Sequence, residues 1–336
     1  MARGVQLLLP GLFDLPLHEV DAAVLRDGLP NLNRILGRAS PRANRDYSLD
    51  SLLSRALDIS LAEETDSLAM AQAFAAPGEG GERLMLIKGV HLRADVQDAM
   101  VIPIAENREN QRDTARIFDD LGQFFAQDCD LQAVTDDLFL LRLKNFAPPR
   151  HYPHPLSVLG RNVGYLIEQS RQVLPWYRLV NELQMYMHQH PVNIDRQRRG
   201  QLTINSLWAW GAGSLAVPGA KPVFYCDDEL LRRFADSLGL APRSMRDLGG
   251  EAGIDDALIV DLRLLQILKT ATEANLEECL LAIEEEVLQP LLRAIDRRRC
   301  GLLLRAGYRF DFELGKFAAL RFWRGPGNLA DWQENA

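Results

Sequence analysis

The sequence predicts an α/β fold: a largely parallel sheet with helices on both faces, and antiparallel strands towards the C-terminus. Three observations point there. Strand-like and helix-like runs alternate for most of the 336 residues, the order that builds a parallel sheet covered on both sides. The first run, Val5 to Leu9, is almost continuously apolar and stops at Pro10-Gly11, as a strand buried on both faces does. Near the end, Gly301 to Arg305, Tyr308 to Phe312 and Leu320 to Trp323 follow one another too closely for helical crossovers, so they are expected to pair antiparallel.

The elements between follow in order. In Leu29 to Leu36 (L-P-N-L-N-R-I-L) a proline stands where a helix starts, followed by apolar residues at helical spacing. Leu61 to Ala75, rich in alanine, leucine and methionine, reads as a second helix, and Pro77 to Gly81 as a flexible loop. Arg83 to Val90 and Ala99 to Ile104 read as strands, joined by a polar connection carrying His91, Arg93 and Asp95. Glu109 to Gln127 is amphipathic, with Ala115, Phe118, Leu121 and Phe125 on one face. Leu131 to Leu143 reads as a strand pair turning at Asp136-Asp137, and Pro148 to Pro155 as a linker or crossover. Tyr177 to Gln189 is a helix, and Ile204 to Trp210 a β-rich buried strand. Val223 to Cys226 and Ala257 to Leu262 are short strands, with a helix from Asp228 to Leu238 between them that Gly239 closes. Leu276 to Arg297 is a long helix. The whole, 1–336, is expected to be one unit, with a subdomain or crossover around 83–155.

Composition narrows the function. With 47% hydrophobic and 25% charged residues the chain has the make-up of a soluble globular protein. A net charge of -8 argues against a general nucleic-acid or anionic-membrane surface and leaves only local basic patches open. The four cysteines lie far apart, with no C-x-x-C, and read as free thiols in a reducing compartment. The apolar run before Pro10 is too short for a signal peptide, and no stretch is apolar enough to span a bilayer. A cytoplasmic location is the expectation.

The most unusual stretch is His188 to Gly213, H-Q-H-P-V-N-I-D-R-Q-R-R-G-Q-L-T-I-N-S-L-W-A-W-G-A-G. Gly211 and Gly213 permit positive φ and close backbone approach, and open α/β sheets bind ligands beyond their strands' carboxyl ends. The W-x-W-G-x-G end is therefore expected at the lip of a binding site. Arg196 suits capture of a phosphate or carboxylate and Asn193 can orient a ligand, or both can belong to a structural turn network. Asn205, placed inside a buried strand, must bond a neighbouring loop or a ligand. Trp208 and Trp210 share a sheet face, either as core or as a stacking platform. His91 and Arg93, with Asp95, could converge on the same pocket or merely bond their loop; Arg161-Asn162 is a weaker candidate for the same anion site. His188 and His190 suit a helix end better than a metal, Arg198 and Arg199 read as solvated surface, and Arg297 to Arg299 suit the negative end of a helix. Asp227-Asp228 could bind a cation, while Asp228 equally reads as an N-cap.

Two segments carry a resemblance. L-P-N-L-N-R-I-L-G-R-A (Leu29 to Ala39) resembles a segment near the start of alkaline-phosphatase-superfamily enzymes. H-P-V-N-I-D-R-Q-R-R-G…N-S-L-W-A-W-G-A-G resembles archaeal-type cofactor-independent phosphoglycerate mutases, and more closely the RpfE-type regulatory proteins of proteobacteria. V-H-L-R-A-D (Val90 to Asp95), N-E-L-Q-M (Asn181 to Met185) and R-F-W-R (Arg321 to Arg324) look similar to that group too. The resemblance implies an alkaline-phosphatase-like core and, for catalytic relatives, two divalent metals and a phosphorylated serine. This chain departs from it. Where the relatives have P-D-G after the first strand it has Pro10-Gly11-Leu12-Phe13-Asp14, it contains no Asp-His pair, and its histidines end at His190. No catalytic serine can be placed by motif.

The resulting expectation is a phosphoglycerate-mutase-related pseudoenzyme that binds a small phosphorylated or carboxylate ligand in a regulatory role. No cofactor, nucleic acid or membrane is expected, and a protein partner is allowed. One alternative is a metal-dependent phosphomutase or phosphohydrolase using Mn or Zn on a divergent site that includes His91, Asp95, Asp227 and Asp228. Another is a protein-interaction scaffold with a vestigial cleft.

Overall fold

The computed structural model describes residues 4–44, 48–61, 67–76, 78–94, 99–105, 107–164, 173–249, 254–269, 275–298, 300–307, 309–317 and 324–334. In chain order its strands begin with β1 (Val5–Leu8), β2 (Ser40–Ala43), β3 (Leu84–Ala94), β4 (Ala99–Ile102), β5 (Cys129–Ala133) and β6 (Leu138–Leu143). They continue with β7 (Ser206–Trp210), β8 (Val223–Tyr225), β9 (Ala257–Val260), β10 (Leu302–Arg305) and β11 (Phe310–Leu314). The first helices are α1 (Pro30–Arg38), α2 (Leu49–Leu57), α3 (Arg108–Phe124), α4 (Leu174–Gln189) and α5 (Pro191–Arg198). The later ones are α6 (Glu229–Ser237), α7 (Arg263–Lys269), α8 (Leu276–Ile283), α9 (Gln289–Arg298) and α10 (Leu329–Glu334). The chain divides into two compact units, one of residues 1–59, 218–268 and 273–336, the other of residues 60–217 and 269–272.

The first unit is built on a mixed sheet in the order β2-β11-β10-β1-β9-β8. The β10-β1-β9-β8 block is parallel, and β11 and β2 add antiparallel at one side. β1 lies inside that block, which explains its unbroken apolar sequence: Leu7 and Leu8 have no exposed surface. Edge strand β2, S-P-R-A, carries the proline and charge that discourage further pairing. Proline opens α1 as expected, but the cap comes from far away. Leu29 has no side chain to bond the helix end. The buried Glu284 carboxylate supplies it, accepting from Asn31 N (2.6 Å), Asn31 Nδ2 (2.7 Å) and Leu32 N (3.1 Å). Glu284 begins a π-helical turn, Glu284–Leu288, that interrupts the long C-terminal helix between α8 and α9. Leu57 and Asp58 accept backbone hydrogen bonds from Ala220 and Gly219, both 3.1 Å. The two chain segments that leave and re-enter this unit are thus clasped side by side.

The second unit has an antiparallel sheet, β4-β3-β6-β5, with β7 also on β3. Five β7 residues, Ser206 to Trp210, pair with Val90 to Leu86, and all five are buried. This corrects the expectation for the central segment: its strand lies in an antiparallel sheet, where the carboxyl-end rule does not apply. β3 also runs on through the expected polar connection, because β4 pairs with His91 to Ala94; Asp95 lies outside the described residues. One face of this sheet packs on α3 and α4 through Met85, Ile87, Phe118, Phe139, Leu207 and Trp176. The helix expected over Leu61 to Ala75 is, among the described residues, only a 3-10 turn, Met70–Phe74. One of its donors goes elsewhere, Ala71 N to Gly211 O at 3.0 Å, where an α-helix would need it locally. Tyr308 and Leu320 to Trp323 lie outside the described residues. No helix among the described residues is long and apolar enough to cross a membrane.

Candidate functional site

The central segment is assembled from a helix junction upward. Pro191 at the first position of α5 has no N–H to continue α4, so the chain turns there and His190 becomes the N-cap. His190 Nδ1 accepts from Val192 N at 3.2 Å, which leaves Nε2–H to donate to Asp120 at 3.0 Å. His188 is exposed. Asn193, 1% exposed, ties the junction to the start of β7. Its amide donates to Met187 O and Ile204 O and accepts from Ile204 N, each at 2.8 Å. Arg196, 2% exposed, donates through Nε to Leu202 O (2.8 Å) and through Nη1 to Asn110 and Asp113 (both 2.7 Å). Arg199 bonds Glu109 and Asp113 on α3.

Two further candidates reach the same loop. His91 Nδ1 lies 2.9 Å from Thr203 O. Asn205 continues the β3–β7 ladder with its side chain, accepting from Leu92 N (2.7 Å) and donating to Leu92 O (3.0 Å). Asn193, Arg196 and His91 therefore converge on Leu202–Asn205, and Asn205 in turn holds Leu92, each through groups that a ligand would otherwise use. Trp208 and Trp210 share the opposite sheet face from the α3 side. Trp208 Nε1 donates to Pro153 O (3.0 Å), with the Tyr152 ring at 5.2 Å, and Trp210 meets the His154 ring at 5.7 Å. Gly211 (φ 77°) and Gly213 (φ 119°) do admit close backbone approach, but of protein. Gly213 N bonds Gly81 O at 3.3 Å, and a Cβ on Gly81 would stand 2.0 Å from Gly213 O. Arg93 stands apart, exposed, cross-strand from Met100, which in turn bridges to Asn162.

Beside this network is a small, open cleft lined by Lys88, Gly89, Ile104, Ala105, Asn110, Gln111, Thr114 and Asp137. Its origin is a gap in the sheet. β6 pairs with β3 as far as Lys88 and β4 starts at His91, so along that edge Gly89 and Val90 have no strand partner among the described residues. Lys88 is ion-paired with Asp137 at 2.9 Å. Asn110 joins cleft and network, since its Oδ1 receives Arg196 and its Nδ2 bonds Ala105 O at 2.8 Å. The sequence reading missed Lys88, Asn110 and Gln111. The available signal was a lysine inside the apolar run L-M-L-I-K-G-V.

In the first unit the carboxylates at the strand ends have protein partners. Asp227 accepts from Ser244 Oγ (2.9 Å) and Met245 N (3.2 Å). Asp228 caps α6 through Leu231 N (2.9 Å) and accepts from Gln266 (3.1 Å). Asp261, 3% exposed and not foreseen, is held by Arg263 at 2.8 Å, and Arg263 also reaches Glu286 at 2.6 Å. These acids hold the Arg263 guanidinium above its ordinary pKa against the cost of burial. Burial, with Asp228 second, pushes the Cys226 thiol far up. Among the described residues no group of three or more His, Cys, Asp or Glu is placed to hold a metal ion.

No family model matches the chain, and no curated protein does. Among solved structures the PH0037 protein of Pyrococcus horikoshii aligns over 94% of this chain and 87% of its own, with 11% identity and a TM-score of 0.49. The cofactor-independent phosphoglycerate mutase of Thermoplasma acidophilum aligns over 94% and 89%, with 14% identity and a TM-score of 0.42. The fold class stands on the strand order and pairing described above.

Proposed function

We propose that this is a phosphoglycerate-mutase-related protein with an alkaline-phosphatase-like core, acting as a metal-free regulatory sensor of a small carboxylate or phosphorylated ligand. The cleft at the β3 gap carries the proposal: it combines Lys88, ion-paired with Asp137 in the same wall, with the amides of Asn110 and Gln111 and the strand edge at Gly89. Arg196 and Asn193 serve it from behind, Arg196 by fixing Asn110 in the wall. The partners already held by Asp227, Asp228 and Asp261 favour this reading over two-metal chemistry, which needs such carboxylates for the ions.

The test is a thermal-shift titration with phosphoglycerates and related metabolites, with and without Mn²⁺. A ligand at about 100 times its Kd adds about 2.7 kcal/mol. The expected result is a metal-independent shift that Lys88→Met removes while the unliganded protein still melts cooperatively. A shift that requires Mn²⁺, with stoichiometric metal in the protein, would instead support a phosphomutase or phosphohydrolase. That second reading is favoured by one observation: Asp227, Asp228 and Asp261 stand at the carboxyl ends of β8 and β9, where open parallel sheets bind ligands.

A further inference from the structure

Helix α3 carries its charges in the order a lone helix disfavours. Arg108, Arg112 and Arg116 lie at successive i, i+4 positions in its N-terminal half, all exposed, while Asp119 and Asp120 come later. Like charges one turn apart repel, and cations sit badly at the positive end of the helix dipole. None of the three arginines has a hydrogen bond or ion pair with a described residue. Three of the acids on the helix are engaged elsewhere, Glu109 with Arg199, Asp113 with Arg196 and Arg199, and Asp120 with His190, and Asp119, one turn beyond Arg116, makes no ion pair with a described residue. Helix α5, which supplies Arg196 and is capped by Arg199, also carries an exposed Arg198. The second unit thus presents a row of guanidinium groups with no ion pair among the described residues, in a chain whose net charge is -8. A local sequence choice that opposes local stability, with no compensating contact, is the mark of a binding surface.

We propose that this row docks an acidic helical segment of a partner protein, with carboxylates repeating once per turn. Successive arginines are about 6 Å apart along the axis, the spacing of carboxylates four residues apart on a facing helix. Each guanidinium can take a carboxylate bidentately. The long-range repulsion from the rest of the acidic chain fades over about 8 Å at physiological salt, so a segment lying on the row feels mainly the row. A nucleic acid fits less well. The row is one residue wide, Asp119 stands exposed at its end in the path of a phosphate backbone, and no aromatic side chain is interleaved to stack bases.

The probe is a fluorescent glutamate–alanine helical peptide with Glu at every fourth position, titrated with the full chain and followed by anisotropy. Binding is expected at low salt, weakening as salt rises, with a loss of about tenfold for Arg112→Glu. The triple variant with Arg108, Arg112 and Arg116 all changed to Glu should not bind, and the triple lysine variant should retain part of the affinity. Circular dichroism and melting temperature check that the folds match. The proposal is overturned if the peptide fails to bind, or if the triple glutamate variant binds it as well as the parent. It is equally overturned if an oligouridylate or phosphatidylserine vesicles bind through the same arginines more tightly than the peptide.

Discussion

At the scale of single residues, buried Asn110, Asn193 and Arg196 tie α3, α4 and α5 to the segment that leads into β7. Removing one end of a buried, hydrogen-bonded cation leaves its acceptors unpaired, so Arg196→Ala should cost on the order of 3 kcal/mol, read as a lower urea midpoint at unchanged slope. An equal midpoint would mean that Asn110, Asp113 and the Leu202 carbonyl find other partners at no cost. His154 gives a pH signature. Burial, helped by the charge of Lys88, pushes its imidazole down to about 3. A depressed histidine favours the folded state above its unfolded pKa of about 6.5. That stability is lost as pH falls from there towards the folded value, at up to about 1.4 kcal/mol per pH unit. Its Nδ1 accepts from Leu156 N, a role that asparagine can also fill. His154→Asn should therefore flatten the acid limb of the stability curve, and identical curves would remove His154 from the account.

At the scale of elements, stability depends on contacts between segments remote in sequence. Glu284→Ala strips three acceptor contacts from the start of α1 and should lower stability by about 2–3 kcal/mol, with Glu284→Gln intermediate, measured by thermal unfolding. Gly81→Ala should be among the most damaging small substitutions, about 3 kcal/mol or more, since its methyl would meet the Gly213 carbonyl. If it melts like the parent, the Gly81–Gly213 contact does not exist in solution. The same elements show what the sequence could reveal. β1, α3, α4 and α6 were legible because apolar periodicity, capping residues and proline are local signals. The 3-10 turn at Met70–Phe74 was not, because its alanines favour a helix and only the distant Gly211 carbonyl diverts the chain. The strand at Ser206–Trp210 was legible as a strand, but its sheet was not, since pairing direction is not written in the residues of one strand. The candidate residues were picked for unusual polarity, and polarity alone cannot distinguish a group offered to a ligand from one already bonded to the Leu202–Asn205 loop. Lys88 passed unnoticed because the cleft exists only where two other strands stop short.

At the scale of the molecule, each unit has its own apolar core, around Leu7, Ile259, Leu291 and Leu304 in one and Phe118, Phe139, Trp176 and Leu207 in the other. A fragment of residues 60–217 should accordingly unfold cooperatively by itself in a denaturant titration. A non-cooperative melt would show that its core needs the rest of the chain. The clasp of Leu57 and Asp58 with Ala220 and Gly219 gives this division a consequence in time. On the ribosome, β1, α1 and α2 emerge before the second unit, yet the strands that β1 pairs with, β9 and β10, are made after it. The intervening stretch, 60–217, holds an apolar core of its own and can fold while those strands wait. Once it has done so, Gly219 and Ala220 can clasp Asp58 and Leu57, which shortens the loop that β1 must close on its late partners. Slow translation through residues 60–217 should therefore help this protein reach its native state, and a mutation that traps that stretch unfolded would leave β1 an exposed apolar strand, the species most prone to aggregate.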